Sequence, residues 1–139
     1  MTAKTMIDAF RRNRVPMALA VLILVMMALA PMTAHAEEMR CGWLDNPSPG
    51  NASLYDKDGE WTIGIQGDHQ AKGDWPPDFP AGQWISHGPD GYGYGCACLT
   101  VDVDAEAMNI LAILSGKARP LSACRADPAV RDIEKQLQP

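Results

Sequence analysis

Basic residues are scarce after position 36 and nowhere cluster: eight Lys and Arg stand against sixteen Asp and Glu from Glu37 to Pro139, a formal net charge of −8. A phosphate backbone is bound by grouped Lys and Arg, so this shortage excludes nucleic acid as a partner. The chain has no apolar run of membrane-spanning length. Its longest, Val15 to Ala30, holds 16 residues, short of the roughly 20 that cross a bilayer as a helix. No Cys or His spacing matches a zinc signature. The glycines from Gly91 to Gly95 lack the Lys-Ser/Thr ending of a phosphate loop. His69 and His87 have no arranged nucleophile, and Asp74, Asp78 and Asp90 form no paired-carboxylate spacing. Asp56-Lys57-Asp58-Gly59 falls short of a calcium loop, because Leu54 and Ile65 stand where the first and twelfth ligands belong. These absences leave no catalytic residue, no metal and no cofactor to assign.

What the chain does have is a secretory order at its start. Arg11, Arg12 and Arg14 precede the apolar run, and Ala34-His35-Ala36 supplies a small-x-small cleavage site. This predicts a cleavable signal peptide over 1–36 and one exported domain over 37–139, periplasmic or secreted, without stable membrane insertion after cleavage. Cys41, Cys96, Cys98 and Cys124 all lie in the mature part. An even count in a short exported chain reads as a disulfide framework that supplements a modest core.

Along the mature part, Pro47, Pro49 and Gly50 give Glu37 to Asn51 the look of an irregular lead-in. Asp58-Gly59 is a turn dipeptide between Leu54-Tyr55 and the run Trp61, Ile63, Ile65, whose period of two predicts a hairpin with those three residues inward. Gly67 to Gly82, with Pro76, Pro77 and Pro80, reads as a long surface loop anchored by Trp75 and Phe79. Gln83 to Ser86 is a short strand and Tyr92 to Val103 a long one, in which Gly91, Gly93 and Gly95 mark close backbone approach. Asp104 to Gly116 has helical spacing locally, with a turn and return strand as the alternative. Asp127-Pro128 predicts the start of a short C-terminal helix with Val130, Ile133 and Leu137 as its apolar stripe.

In a strand, Cys96 and Cys98 project to one face. A bond between them would close a tight ring, so each is expected to reach outward, one to Cys41 and one to Cys124, in either of two connectivities. A redox role for Cys96-x-Cys98 finds little support locally, since the nearest charges in sequence are Asp90 and Asp102 and a reactive thiol wants cationic surroundings.

The words Arg40-Cys41-Gly42-Trp43, Asn46-Pro47-x-Pro49-Gly50-Asn51, Asp58-Gly59-Glu60-Trp61-Thr62-Ile63 with Gln66-Gly67, Tyr92-Gly93-Tyr94-Gly95-Cys96-Ala97-Cys98 and Pro120-Leu121-x-x-Cys124-Arg125-x-Asp127 follow one another in that order. The chain resembles the small exported bacterial proteins catalogued as domain of unknown function 4087. That resemblance implies a compact envelope domain of Gram-negative bacteria and no reaction. It also implies a turn and strand, rather than a helix, for Asp104 to Leu114.

The fold expected is α+β: a small, β-rich, disulfide-stapled single domain with a short C-terminal helix. The function expected is a non-catalytic binding or interaction module, with an inhibitor or immunity-like partner of a periplasmic hydrolase as one form. Its partner is an envelope protein or cell-wall component, and its oligomeric state is left open. Trp75, Phe79, Tyr92 and Tyr94 are the expected binding surface, because aromatics dominate interface hot spots. Trp43, Trp61 and Trp84 are expected in the core. The alternatives are a structural or stress-related envelope protein, favoured by a buried aromatic set, and a redox or metal-handling protein, favoured by a solvent-exposed Cys-x-Cys.

Overall fold

Alternate burial along the strands decides the architecture. The computed structural model describes residues 37–138; the signal peptide expected over 1–36 lies outside the described residues. Six strands come first: β1 (Glu38–Ser48), β2 (Asn51–Asp56), β3 (Gly59–Gly64), β4 (Trp84–Ser86), β5 (Gly93–Asp104) and β6 (Asn109–Arg119). Two short helices follow, α1 (Leu121–Ala126) and α2 (Glu134–Leu137). In β2 every second residue, Ala52, Leu54 and Asp56, is buried. The matching faces of the neighbouring strands supply Leu44, Ile63, Leu99, Val101 and Ile110 to the same cluster.

The pairings close on themselves. β1 pairs with β2, β2 with β3, β3 with β6, β6 with β5, and β5 returns to β1. All are antiparallel except the brief parallel contact of Thr62 with Asn109. In the ring, β5 lies beside β1 of the meander β1–β2–β3, the Greek-key order, and the result is a small barrel around one apolar interior. β3 and β6 diverge beyond Thr62, and the loop after β3 fills the wedge. The Ala71 amide donates to the Ile63 carbonyl at 2.8 Å, the Lys72 amide to Leu111 at 3.0 Å, and the Ile113 amide to Lys72 at 2.7 Å. His69 Nε2 donates to the Ile110 carbonyl at 2.8 Å.

The C-terminal segment covers part of the outside. Trp43, Tyr94 and Cys96 point away from the barrel and pack under Leu121, Cys124, Val130 and Leu137. The Trp43 indole donates to the Val130 carbonyl at 3.0 Å. Arg125 grips Glu134 through two nitrogens, at 2.7 Å and 2.9 Å.

Several expectations are corrected. Glu37 to Asn51 is not an irregular lead-in: Glu38 to Asn46 pairs residue by residue with β5. Pro47, which has no amide to donate, sits in the register shift between Asp45 and Ser48, where no partner is needed. Ile65 is 46 % exposed rather than inward, because β3 ends at Gly64 and Ile65 belongs to a turn closed by Asp68 and His69. Of the two readings of Asp104 to Gly116, the turn and return strand is the one realised: Asp104 accepts from the Glu106 and Ala107 amides, both at 3.1 Å, and the chain turns back into β6. Asp127 opens a series of turns, and regular helix begins only at Glu134, while α1 stands before it, unforeseen. The Val130, Ile133 and Leu137 stripe does face the core.

Candidate binding face

β5 is the hub of the outer surface. Cys41 lies directly opposite Cys98 across β1 and β5, and these two form one disulfide, while Cys96 reaches Cys124 on α1 to form the other. Of the two connectivities open to the sequence, this is the one realised. The bridges differ in surroundings. Cys96 and Cys124 are 2 % and 4 % exposed beneath the helices, whereas Cys41 is exposed and Cys98 half-buried. A cavity of about 170 Å³ lies between them, bordered also by Arg119, Asp127 and Val130.

The helices cover only the Trp43–Tyr94–Cys96 half of this outer face. On the open half, Met39 pairs with Thr100 and Cys41 with Cys98 across β1 and β5. On the other side of β5, Ser115, Lys117 and Arg119 stand opposite Thr100, Cys98 and Cys96. Met39 is 72 % exposed. Met39, Cys98, Thr100, Ser115, Lys117 and Arg119 border a groove of about 470 Å³. Arg40, Lys57, Arg125, Arg131 and Lys135 all have carboxylates within 4 Å, but Lys117 and Arg119, like Lys72 in the loop after β3, form no ion pair among the described residues.

Two further polar clusters are structural in geometry. At one barrel mouth the Arg40 guanidinium lies 3.6 Å from the centroid of the Trp61 ring. Its Nη1 donates to Asp56 Oδ2 at 2.6 Å and to Asp58 at 3.1 Å, and its Nη2 to Glu38 at 3.1 Å. Burial works against the Arg40 charge, but the carboxylates outweigh it and hold its pKa above the usual value. The other oxygen of buried Asp56 accepts from the Trp61 indole at 3.1 Å and the Asp58 amide at 2.8 Å. On the outside of β2 and β3, Glu60 accepts from Ser53 at 2.8 Å and Tyr55 at 3.1 Å. Burial, then the Glu60 charge, pushes the Tyr55 hydroxyl up to about 12. Asp45 nearby is 8 % exposed, and its Oδ1 has no hydrogen-bond partner. Burial raises its carboxyl pKa, with the His87 ring, 4.0 Å away, partly opposing.

The aromatic residues expected to form one surface are dispersed. Tyr94 is 1 % exposed, edge-on to Trp43, so it belongs to the interior under the helices. Trp75 and Phe79 pack against the barrel core. Phe79 occupies the space where a side chain on Gly95 would stand and lies 4.8 Å from Trp84. Tyr92 is half-buried. Trp43 and Trp61 are in the core, and Trp84 is half-buried, its indole donating to the Gly91 carbonyl at 3.0 Å. The residues that sequence reasoning passed over are Met39, Lys117 and Arg119. Charge near the cysteines was weighed along the chain, at Asp90 and Asp102, but Lys117 and Arg119 arrive across the sheet. Their own two-residue spacing on one strand was the available signal. Among the described residues no group of three or more His, Cys, Asp or Glu is placed to hold a metal, and no helix is long and apolar enough to cross a membrane.

Set against known proteins, residues 35–131 match a family described as Protein of unknown function (DUF4087). No curated protein and no solved structure matches.

Proposed function

The chain belongs to this family, which brings no reaction with it, and from the geometry of the open face we propose that the protein is an exported, non-catalytic binding module whose partner is an acidic envelope protein. One observation carries the reading: in an acidic chain whose other strand and helix cations are paired, Lys117 and Arg119 form no ion pair among the described residues and border one groove with the exposed Met39. Met and Arg are enriched at protein interfaces, and complementary charge steers the right partner in and keeps wrong ones out. Among acidic envelope proteins, a periplasmic hydrolase held by a small inhibitor or immunity-like protein is the pairing proposed. Support for the envelope comes from the signal order of residues 1–36 and from the two disulfides, which persist in oxidising compartments. Trp75 and Phe79 are assigned to folding rather than binding, because both pack on the core.

The test is affinity capture from an envelope extract with the wild-type protein and with a Lys117→Glu/Arg119→Glu variant. The expected result is a partner retained by the wild type at low salt, released as salt rises, and bound roughly tenfold or more weakly by the variant. Both positions are exposed, so the variant should melt at nearly the wild-type temperature, surface changes costing within about 0.5 kcal/mol. A partner that binds both proteins equally would overturn the assignment of this face.

A further inference from the structure

We propose that Cys41–Cys98 is a thiol–disulfide exchange site, which an incoming dithiol reduces while Cys96–Cys124 stays closed. The inference is independent of the binding reading, since it needs no captured partner. Access favours one bridge over the other: Cys41 is exposed and Cys98 half-buried, whereas Cys96 and Cys124 are covered by the helices. Charge separates the two sulfurs of the open bridge. Lys117 stands directly opposite Cys98, with Arg119 one pair further along the same face. Side chains so placed have Cβ atoms about 4.5–5.5 Å apart, and neighbouring cations favour a thiolate over a thiol. Cys41 projects to the same face from the β1 side of the bridge, one strand further from Lys117. The hollow beside Cys41 is bordered by four carboxylates, Glu38, Asp56, Asp58 and Asp127, against two cations, Arg40 and Lys57. Arg40 pairs with the first three carboxylates and Lys57 with Asp58, and Asp127 forms no ion pair among the described residues. Cys98 is therefore the better leaving thiolate and Cys41 the sulfur open to attack.

Opening this bridge requires no unfolding, because β1 and β5 stay paired from Glu38 to Asn46 and the second bridge still holds α1 to β5. In the first step a thiolate of the dithiol attacks Cys41 Sγ. A mixed disulfide forms, and the electron pair of the Cys41–Cys98 bond departs on Cys98 Sγ. In the second step the remaining thiol of the dithiol, having lost its proton to solvent, attacks its own sulfur in the mixed disulfide and expels Cys41 as a thiolate. Cys41 and Cys98 take up protons from solvent according to their acidity. The dithiol has been oxidised to a disulfide by two electrons, and the Cys41–Cys98 pair has been reduced by two.

The experiment treats the oxidised protein briefly with dithiothreitol, quenches with an alkylating reagent and maps the labelled cysteines by mass spectrometry. Cys41 and Cys98 should be labelled together, at least about tenfold faster than Cys96 and Cys124. Glutathione, which has one thiol, should leave its adduct on Cys41 and not on Cys98. Lys117→Met should slow opening roughly three- to tenfold and move the pH midpoint of Cys98 alkylation upward. Lys72→Met, which removes an exposed cation from another part of the barrel, should change neither. The proposal fails if both bridges open together at the rate of global unfolding followed by tryptophan fluorescence. It fails equally if the glutathione adduct is spread evenly over the sulfurs, or if Lys117→Met behaves as Lys72→Met does.

Discussion

Asp56 shows how much one buried carboxylate can hold. It accepts from the Arg40 guanidinium, the Trp61 indole and the Asp58 amide at once. Asp56→Ala takes the acceptor from the buried Trp61 indole N–H and one of the three carboxylates from Arg40, which keeps Glu38 and Asp58, and leaving such a buried donor unsatisfied costs about 1–3 kcal/mol. Urea unfolding should show that loss, and Asp56→Asn, whose amide oxygen still accepts from the indole, should show less of it. Asp45 makes the opposite case. Its carboxyl is held above the ordinary 3.8 by burial, so the folded state binds the proton more tightly than the unfolded chain does. Stability from this group is complete below 3.8 and is lost as pH rises through the folded value. Asp45→Asn should therefore raise the melting temperature at neutral pH, with the gain fading as the pH falls to 3.8; a gain that is constant with pH would show that the charge is not the cause. Neither role was legible in the sequence. Arg40 and Asp56 are 16 positions apart, and Asp45 differs from a solvated aspartate only through what β5 and the C-terminal segment place over it.

Among the elements, the segment from Gln70 to Lys72 borrows its structure from its neighbours. Nothing in its own residues asks for a strand, yet it bridges Gly64 on one side and Ala112 on the other. The Ala71 and Lys72 amides should resist hydrogen exchange as strongly as strand amides do, while the exposed turn from Gln66 to Asp68 exchanges faster. Lys72→Pro should destabilise the domain by about 1–3 kcal/mol, because it removes the amide that donates to the carbonyl of half-buried Leu111. Elements with local signals were readable: the Asp58-Gly59 turn, the Trp61–Ile63 alternation, and the glycines of β5, where Gly93 lies against the Ile85 carbonyl and Gly95 against Phe79. Elements specified from a distance were not. β1 is strand because β5, some fifty residues on, supplies its partners, and Pro47 with the Pro49-Gly50 just beyond it argued locally against it. α1 has six residues, too few to display a helical period. The return strand β6 was one of two local readings, and only the resemblance favoured it, since Ala105 to Met108 is helix-prone when read alone.

For the whole molecule, the two bridges compensate for a core that a chain of this size can fill only in part. They span 57 and 28 positions and restrict the unfolded chain by roughly 3–4 kcal/mol each in the chain-entropy account, comparable to the entire net stability of many small domains. Their spans also overlap. One covalent circle runs from Cys41 to Cys98 and the other from Cys96 to Cys124, so every peptide bond between Cys41 and Cys124 lies inside at least one of them. A protease that makes a single cut in the long 65–83 loop, or in the turn before β6, produces no separate fragments. The nicked chain remains one molecule, its ends held in register by the barrel. Once Cys41–Cys98 is opened that protection disappears from every bond between Cys41 and Cys96 and survives only beyond it, so the same cut in the loop would then part the first three strands from the rest.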